Sequence, residues 1–167
     1  MAPVRDPLGR PTEAAYLFFG EGLGDRLQPA AVVEMAAAAG LTLLAAHERD
    51  PLQTTTFGVG ELLRAAVRRG ARCILIGLGG SATVDGGAGC LQALGATFRD
   101  AAGHTLPRPP GRFMTGETLA AIAQVDLAPV RDALGGAVVE LLCDVRTRLP
   151  DAARVYGPQK GAAPAAV

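Results

Sequence analysis

The residues most able to do chemistry lie in one stretch, Ile74-Leu75-Ile76-Gly77-Leu78-Gly79-Gly80-Ser81-Ala82-Thr83-Val84-Asp85-Gly86-Gly87-Ala88-Gly89. It reads as a strand, a glycine-rich loop and the start of a helix. Glycines let a backbone approach an anion closely and turn successive N–H groups the same way. A helix start adds unpaired N–H groups and the positive end of a dipole. Ser81 and Thr83 add hydroxyls. Asp85 can cap the helix, hold a metal or act as a base. Gly77-x-Gly79-x-x-Ala82 also matches the dinucleotide fingerprint, with acidic Asp100 at the end of a later strand. Against that match, Thr83-Val84-Asp85-Gly86-Gly87 intervenes before the helix, and paired glycines form helix poorly. A Walker A loop is excluded, because the stretch contains no Gly-Lys-Ser/Thr. A bare turn with Asp85 as its cap is the plainer reading, but the density of Gly, Ser, Thr and Asp favours an anion site.

Two further residues stand out. Of 16 basic side chains, 15 are Arg and one is Lys160, set in Gly157-Pro158-Gln159-Lys160-Gly161-Ala162. A lone lysine in an arginine-biased chain, framed by glycines, is worth inspecting, although an exposed loop lysine is the plainer reading. Asp144 comes directly after the apolar run Val138 to Cys143, where a strand-end carboxylate would sit.

The elements that must position these residues alternate in type. Pro7-Leu8-Gly9 signals a turn, and Glu13–Phe19 and Val32–Met35 read as strands. Phe57–Arg69 has the helical period, with Leu62, Leu63, Ala66 and Val67 on one face and Gly70 as its stop. Cys73–Ile76 is apolar and β-branched, as in a buried parallel strand. A helix over Asp85–Leu94 with Gly95 as its cap, a strand over Ala96–Arg99, a loop over 101–116, a helix over Thr118–Gln124 and a strand over Val138–Val145 complete the pass. The pattern predicts an α/β fold with a mixed, partly parallel sheet and flanking helices. It divides into a strand- and turn-rich part (1–56), an α/β part with the glycine-rich loop (57–145) and a loop tail (146–167).

Composition narrows the function classes. Sixteen basic residues balance sixteen acidic ones, which argues against a general nucleic-acid binder. Hydrophobic residues make up 49% and aromatics only 4%, so the core must rest on Ala, Leu, Val and Ile. No apolar run reaches the ~20 residues of a membrane span, and Met1–Arg10 has no signal-peptide pattern. Cys73, Cys90 and Cys143 form neither a disulfide framework nor a zinc pattern, which points to a reduced, cytoplasmic compartment. Cys90 reads as buried, although a helix start can activate a thiol. His47 and His104 read as solvated surface residues.

The loop and the tail together resemble the bacterial glycerate kinase family, the ATP-dependent class I type. The resemblance is carried by Gly79 to Gly89, Leu91-Gln92-Ala93-Leu94-Gly95-Ala96 and Gly157 to Ala162. Gly9 after Pro7-Leu8, Glu34-Met35-Ala36, Thr54-Thr55-Thr56, Gly60-Glu61-Leu62 and Cys143-Asp144-Val145 add to it. It implies part of a two-lobed kinase fold and transfer of the ATP γ-phosphoryl, with Mg²⁺, to a hydroxyl of glycerate. It implies Asp85, Lys160 and Asp144 as catalytic residues, Asp85 and Asp144 also as Mg²⁺ ligands. Gly79, Gly80, Ser81, Ala82, Thr83, Gly86, Gly87 and Gln159 would then hold substrate or phosphate. The chain departs from the family at Val84, where Asn is usual, and in the segment 146–154, which is shortened. Two alternatives stay open: a truncated, inactive relative that at most binds an anion, and a dinucleotide-binding module in which Asp100 contacts a ribose.

Overall fold

A computed structural model of the chain describes residues 1–24, 28–143 and 145–162. β1 (Ala2–Arg5) and β2 (Pro11–Ala14) form an antiparallel hairpin, with Ala2 opposite Ala14. Its turn is held by buried Asp6, whose carboxylate accepts the N–H groups of Leu8 and Arg10 at 2.9 Å each. The strand expected over Glu13–Phe19 is split: β2 ends at Ala14 and β3 runs Leu17–Phe19. Then come β4 (Ala30–Glu34), α1 (Ala36–Ala39), α2 (Phe57–Arg68), β5 (Cys73–Gly77) and α3 (Ala88–Ala93). β6 (Thr97–Arg99), β7 (Thr105–Leu106), β8 (Gln124–Asp126), α4 (Ala128–Leu134), β9 (Val138–Leu142) and α5 (Leu149–Tyr156) complete the set.

The main sheet has the order β3-β4-β5-β9, with β3 antiparallel and the other three parallel, so the sheet is mixed. On it, Ala31, Val33 and Ile74 are fully buried against Leu62, Leu63 and Ala66 of α2. Fully burying a Val, Leu or Ile side chain among these contributes about 1.5–3 kcal/mol. With so few aromatics the layers must come close, and glycines allow it. A Cβ at Gly60 of α2 would collide with the Cys90 carbonyl of α3, and one at Gly58 with the Arg5 carbonyl of β1.

β6 does not join this sheet. It pairs antiparallel with β7 and β8 in a separate three-stranded sheet. The six residues of α3 rise about 9 Å, about half the ~17 Å that a five-residue strand spans. They cannot carry the chain back beside β5, and the αL Gly95 turns it away (φ +104). The dinucleotide alternative fails here, because it needs a parallel strand directly after that helix. Asp100 instead closes the β6–β7 turn. Its carboxylate accepts the N–H groups of His104 at 2.9 Å and Ala102 at 3.0 Å, and the His104 backbone and ring bonds chiefly hold it below the usual carboxylate range. His47 and His104 are exposed, as expected.

The tail is not all loop. α5 occupies Leu149–Tyr156, and a 3-10 turn comes next at Pro158–Lys160. The predicted helix over Thr118–Gln124 is a 3-10 segment at Gly116–Ala121 and then β8, and α4 lies where no element was expected.

Candidate functional site

The loop after β5 is pinned before it is shaped. Leu41 N donates to Gly80 O at 2.9 Å and Ala82 N to Ala39 O at 2.8 Å, a short antiparallel bridge to the segment after α1. Thr54 Oγ1 adds a bond to Ala82 O at 3.0 Å. Ala82 is therefore buried with its N–H spent, and it holds the loop instead of lining it.

Asp85 organises the second half of the loop. Its side chain is 1% exposed. Oδ2 accepts Thr56 N at 2.8 Å, Thr56 Oγ1 at 2.8 Å and Gly89 N at 3.1 Å, while Oδ1 accepts Gly87 N at 3.1 Å. Thr56 immediately precedes α2, and Gly87 and Gly89 flank the start of α3. One carboxylate thus ties together the positive ends of two helices, where negative charge is favoured. Thr56 Oγ1 in turn accepts Cys90 N at 2.9 Å. No Cβ fits at Gly89, which packs on Thr55 and Asp85.

Lys160 arrives from the far end of the chain. Its ammonium donates to Ser81 Oγ at 2.9 Å and to Thr83 O at 2.6 Å. The 3-10 turn presents it, and Gly161 (φ +91) lets that turn lie on Arg49: a Cβ there would collide with the Arg49 carbonyl. Burial holds the ammonium below the ordinary lysine range, and the negative charge of Asp85 pulls it partly back.

These groups line a cleft of about 500 Å³. Its walls include Met35 after β4, Leu78 after β5, and Val145 and Thr147 after β9. It therefore opens at the carboxyl ends of three adjacent parallel strands, where open α/β sheets place their ligands. Of the residues singled out in the sequence, Ser81, Thr83, Asp85, Gly86, Gly87 and Lys160 line this cleft together. Gly79, Gly80 and Gln159 are not among its lining residues. Asp144 lies outside the described residues. Val84 lines the cleft as an apolar residue between Thr83 and Asp85. Among the described residues no protein acceptor meets the N–H groups of Val84 and Gly86, so both are open to solvent or a ligand.

Sequence reasoning missed the part played by Thr56 and by Tyr156, whose hydroxyl lies 2.9 Å from Thr147 Oγ1 on the tail wall. The Thr54–Thr56 run was the signal for the first. The Cys90 thiol is not an activated one: burial, with the Asp85 charge second, pushes it up to about 12. Among the described residues no group of three His, Cys, Asp or Glu side chains could hold a metal ion. No helix among them is long and apolar enough to cross a membrane.

Comparison with known proteins places the chain in a family and its fold beside a solved structure. The model of the glycerate kinase family matches residues 1–167. Glycerate 2-kinase of Escherichia coli K12 is 41% identical over 167 residues, covering 98% of this chain and 41% of the relative. Glycerate kinase of Bacillus subtilis 168 is 43% identical over 162 residues, covering 95% and 39%. A crystal structure described as glycerate kinase 2 from Salmonella typhimurium LT2 superposes with a TM-score of 0.81 at 42% identity, over 98% of this chain and 41% of that one. The chain thus spans about two fifths of the length of the relatives it matches.

Proposed function

This chain belongs to the glycerate kinase family, and from that premise we propose that its cleft serves phosphoryl transfer from ATP to a hydroxyl of glycerate. The observation that carries the reading is Lys160 bonded to Ser81 and Thr83 across the cleft mouth. Phosphoryl transfer asks a protein chiefly for positioning and charge neutralisation. Lys160 supplies the charge, and the N–H groups of Val84 and Gly86, which no acceptor among the described residues takes, can donate to phosphate or carboxylate oxygens.

Asp85 takes a positioning role on this reading. Its oxygens already accept four hydrogen bonds, so it does not fit a direct metal ligand or a free base. It fixes the Gly86-Gly87 turn on the cleft wall. Asp144 remains, from the sequence, the candidate base or metal carboxylate. ATP brings the transferable phosphoryl group. Lys160 and the hydroxyl and N–H donors beside it suit its phosphates, whereas the described residues offer no direct Mg²⁺ site.

The test is a thermal melt of this chain, and of Lys160→Met, with and without D-glycerate plus Mg·ATP. A ligand at 100 times its Kd adds about 2.7 kcal/mol. We expect the native chain to shift and the variant to lose about tenfold or more in affinity, as losing a charged hydrogen-bond donor does. Equal shifts in both proteins would overturn the role of Lys160. No shift in the native chain would leave family membership without a working site. A shift without ADP release would mark a chain that binds and does not turn over.

A further inference from the structure

A second cleft, of about 460 Å³, lies behind the first. The two share a wall: Thr55 and Thr118 face the second cleft, while Thr56 and Leu119 face the Lys160 cleft. The wall of the second cleft is built rather than incidental. The Phe113 ring packs at 4.7 Å on Phe57 and lies where a side chain at residue 9 would otherwise be, so Gly9 is required there. Gln92 clamps the segment on both sides, donating to Arg112 O at 3.0 Å and accepting Met114 N at 2.8 Å.

On this fixed segment stand two arginines. Among the described residues Arg112 has no hydrogen-bond or ion-pair partner for its guanidinium. Arg108 has only Asp100, at 3.8 Å. Across from them Glu117 accepts Gln53 Nε2 at 2.9 Å through Oε2, and its other oxygen has no partner among the described residues. A guanidinium fork suits a carboxylate or phosphate, and a free carboxylate oxygen asks for a donor. A bare anion would be repelled by Glu117.

We propose that this cleft is a ligand site distinct from the Lys160 cleft. Its ligand is a small organic phosphate or carboxylate that also carries an ammonium or hydroxyl group. The anion sits on Arg112 and Arg108, and the donor on Glu117. The proposal goes beyond phosphoryl transfer and does not depend on it.

The experiment titrates the full chain with O-phosphoserine and, separately, with inorganic phosphate, following backbone amides by NMR. Expected are saturable shifts at residues 111–118 and Thr55, with phosphoserine binding more tightly than phosphate. Arg112→Ala, at an exposed side chain, weakens phosphoserine by about tenfold, the scale of one charge-assisted hydrogen bond. Arg108→Ala gives a second reading should that variant fold poorly. Glu117→Gln removes the preference for phosphoserine, and Lys160→Met leaves all of this unchanged. Shifts confined to 79–87 and 157–161, shifts that do not saturate, or wild-type affinity in both arginine variants would overturn the proposal. Loss of the Lys160-dependent ligand shift alone would instead count against the proposed kinase function.

Discussion

At Lys160, burial and partnership pull in opposite directions. Burial lowers its proton affinity from the ordinary value of 10.5, and Asp85 only partly restores it. Between the lowered value and 10.5 the unfolded chain binds more protons than the folded one, so stability rises with pH across that window. Below it both states carry the charge, and the whole cost of burying an ammonium is present. The native chain should therefore gain stability over Lys160→Met as pH climbs toward 10.5, read as the difference in melting temperature at each pH. A constant difference would mean that the ammonium is solvated and not held in the cleft. The sequence made this residue visible by its uniqueness and its glycine frame. It could not show that Ser81 and Thr83 are its partners, because contacts across almost half the chain leave no periodic trace. For Asp85 the residue type was legible and its occupation was not, since three of its four donors are backbone N–H groups, which every loop possesses.

Among the elements, those with a strong period or a firm stop were legible. α2 shows its apolar stripe and ends near Gly70, and β5 is a continuous apolar run. β8, a three-residue strand exposed along its length, carries no alternation to read. α4 begins Ala-Pro, a good helix start, but is only seven residues long. α5 was hidden among arginines and a proline that read as tail. The turn after α5 sets the reach of Lys160, and it depends on Gly161 at φ +91 beneath the Arg49 carbonyl. Gly161→Ala should lift that turn off Arg49. A misplacement near 1 Å can cost about 10²-fold in rate, and the expected result is loss of the ligand-induced melt shift with a smaller change in the unliganded melt. An unchanged ligand shift would show that the turn tolerates displacement.

For the whole molecule, alternation of strand and helix announced an α/β fold. The division into separate sheets was illegible, because it turns on the length of α3 and not on any residue type. The outer strands of the main sheet are apolar where they are open. Leu17 of β3 is 61% exposed, as is Leu141 of β9, with Val138 at 56% and Leu142 at 53%. Edge strands of this kind invite pairing with another chain. Sedimentation of this chain should show association that grows with concentration, and Leu141→Lys should reduce it. A native chain that stays monomeric across the range would refute the expectation.

Thr54, Thr55 and Thr56 look interchangeable in the sequence, yet each answers to a different neighbour. The first hydroxyl reaches Ala82 O, the second accepts Phe57 N, and the third binds Asp85. A tract of identical letters is here three separate obligations, none able to stand in for another. Deep mutational scanning would see one intolerant block with three unrelated causes, and only the second threonine faces both α2 and the arginine cleft. Repetition along a chain is thus no measure of redundancy in its architecture.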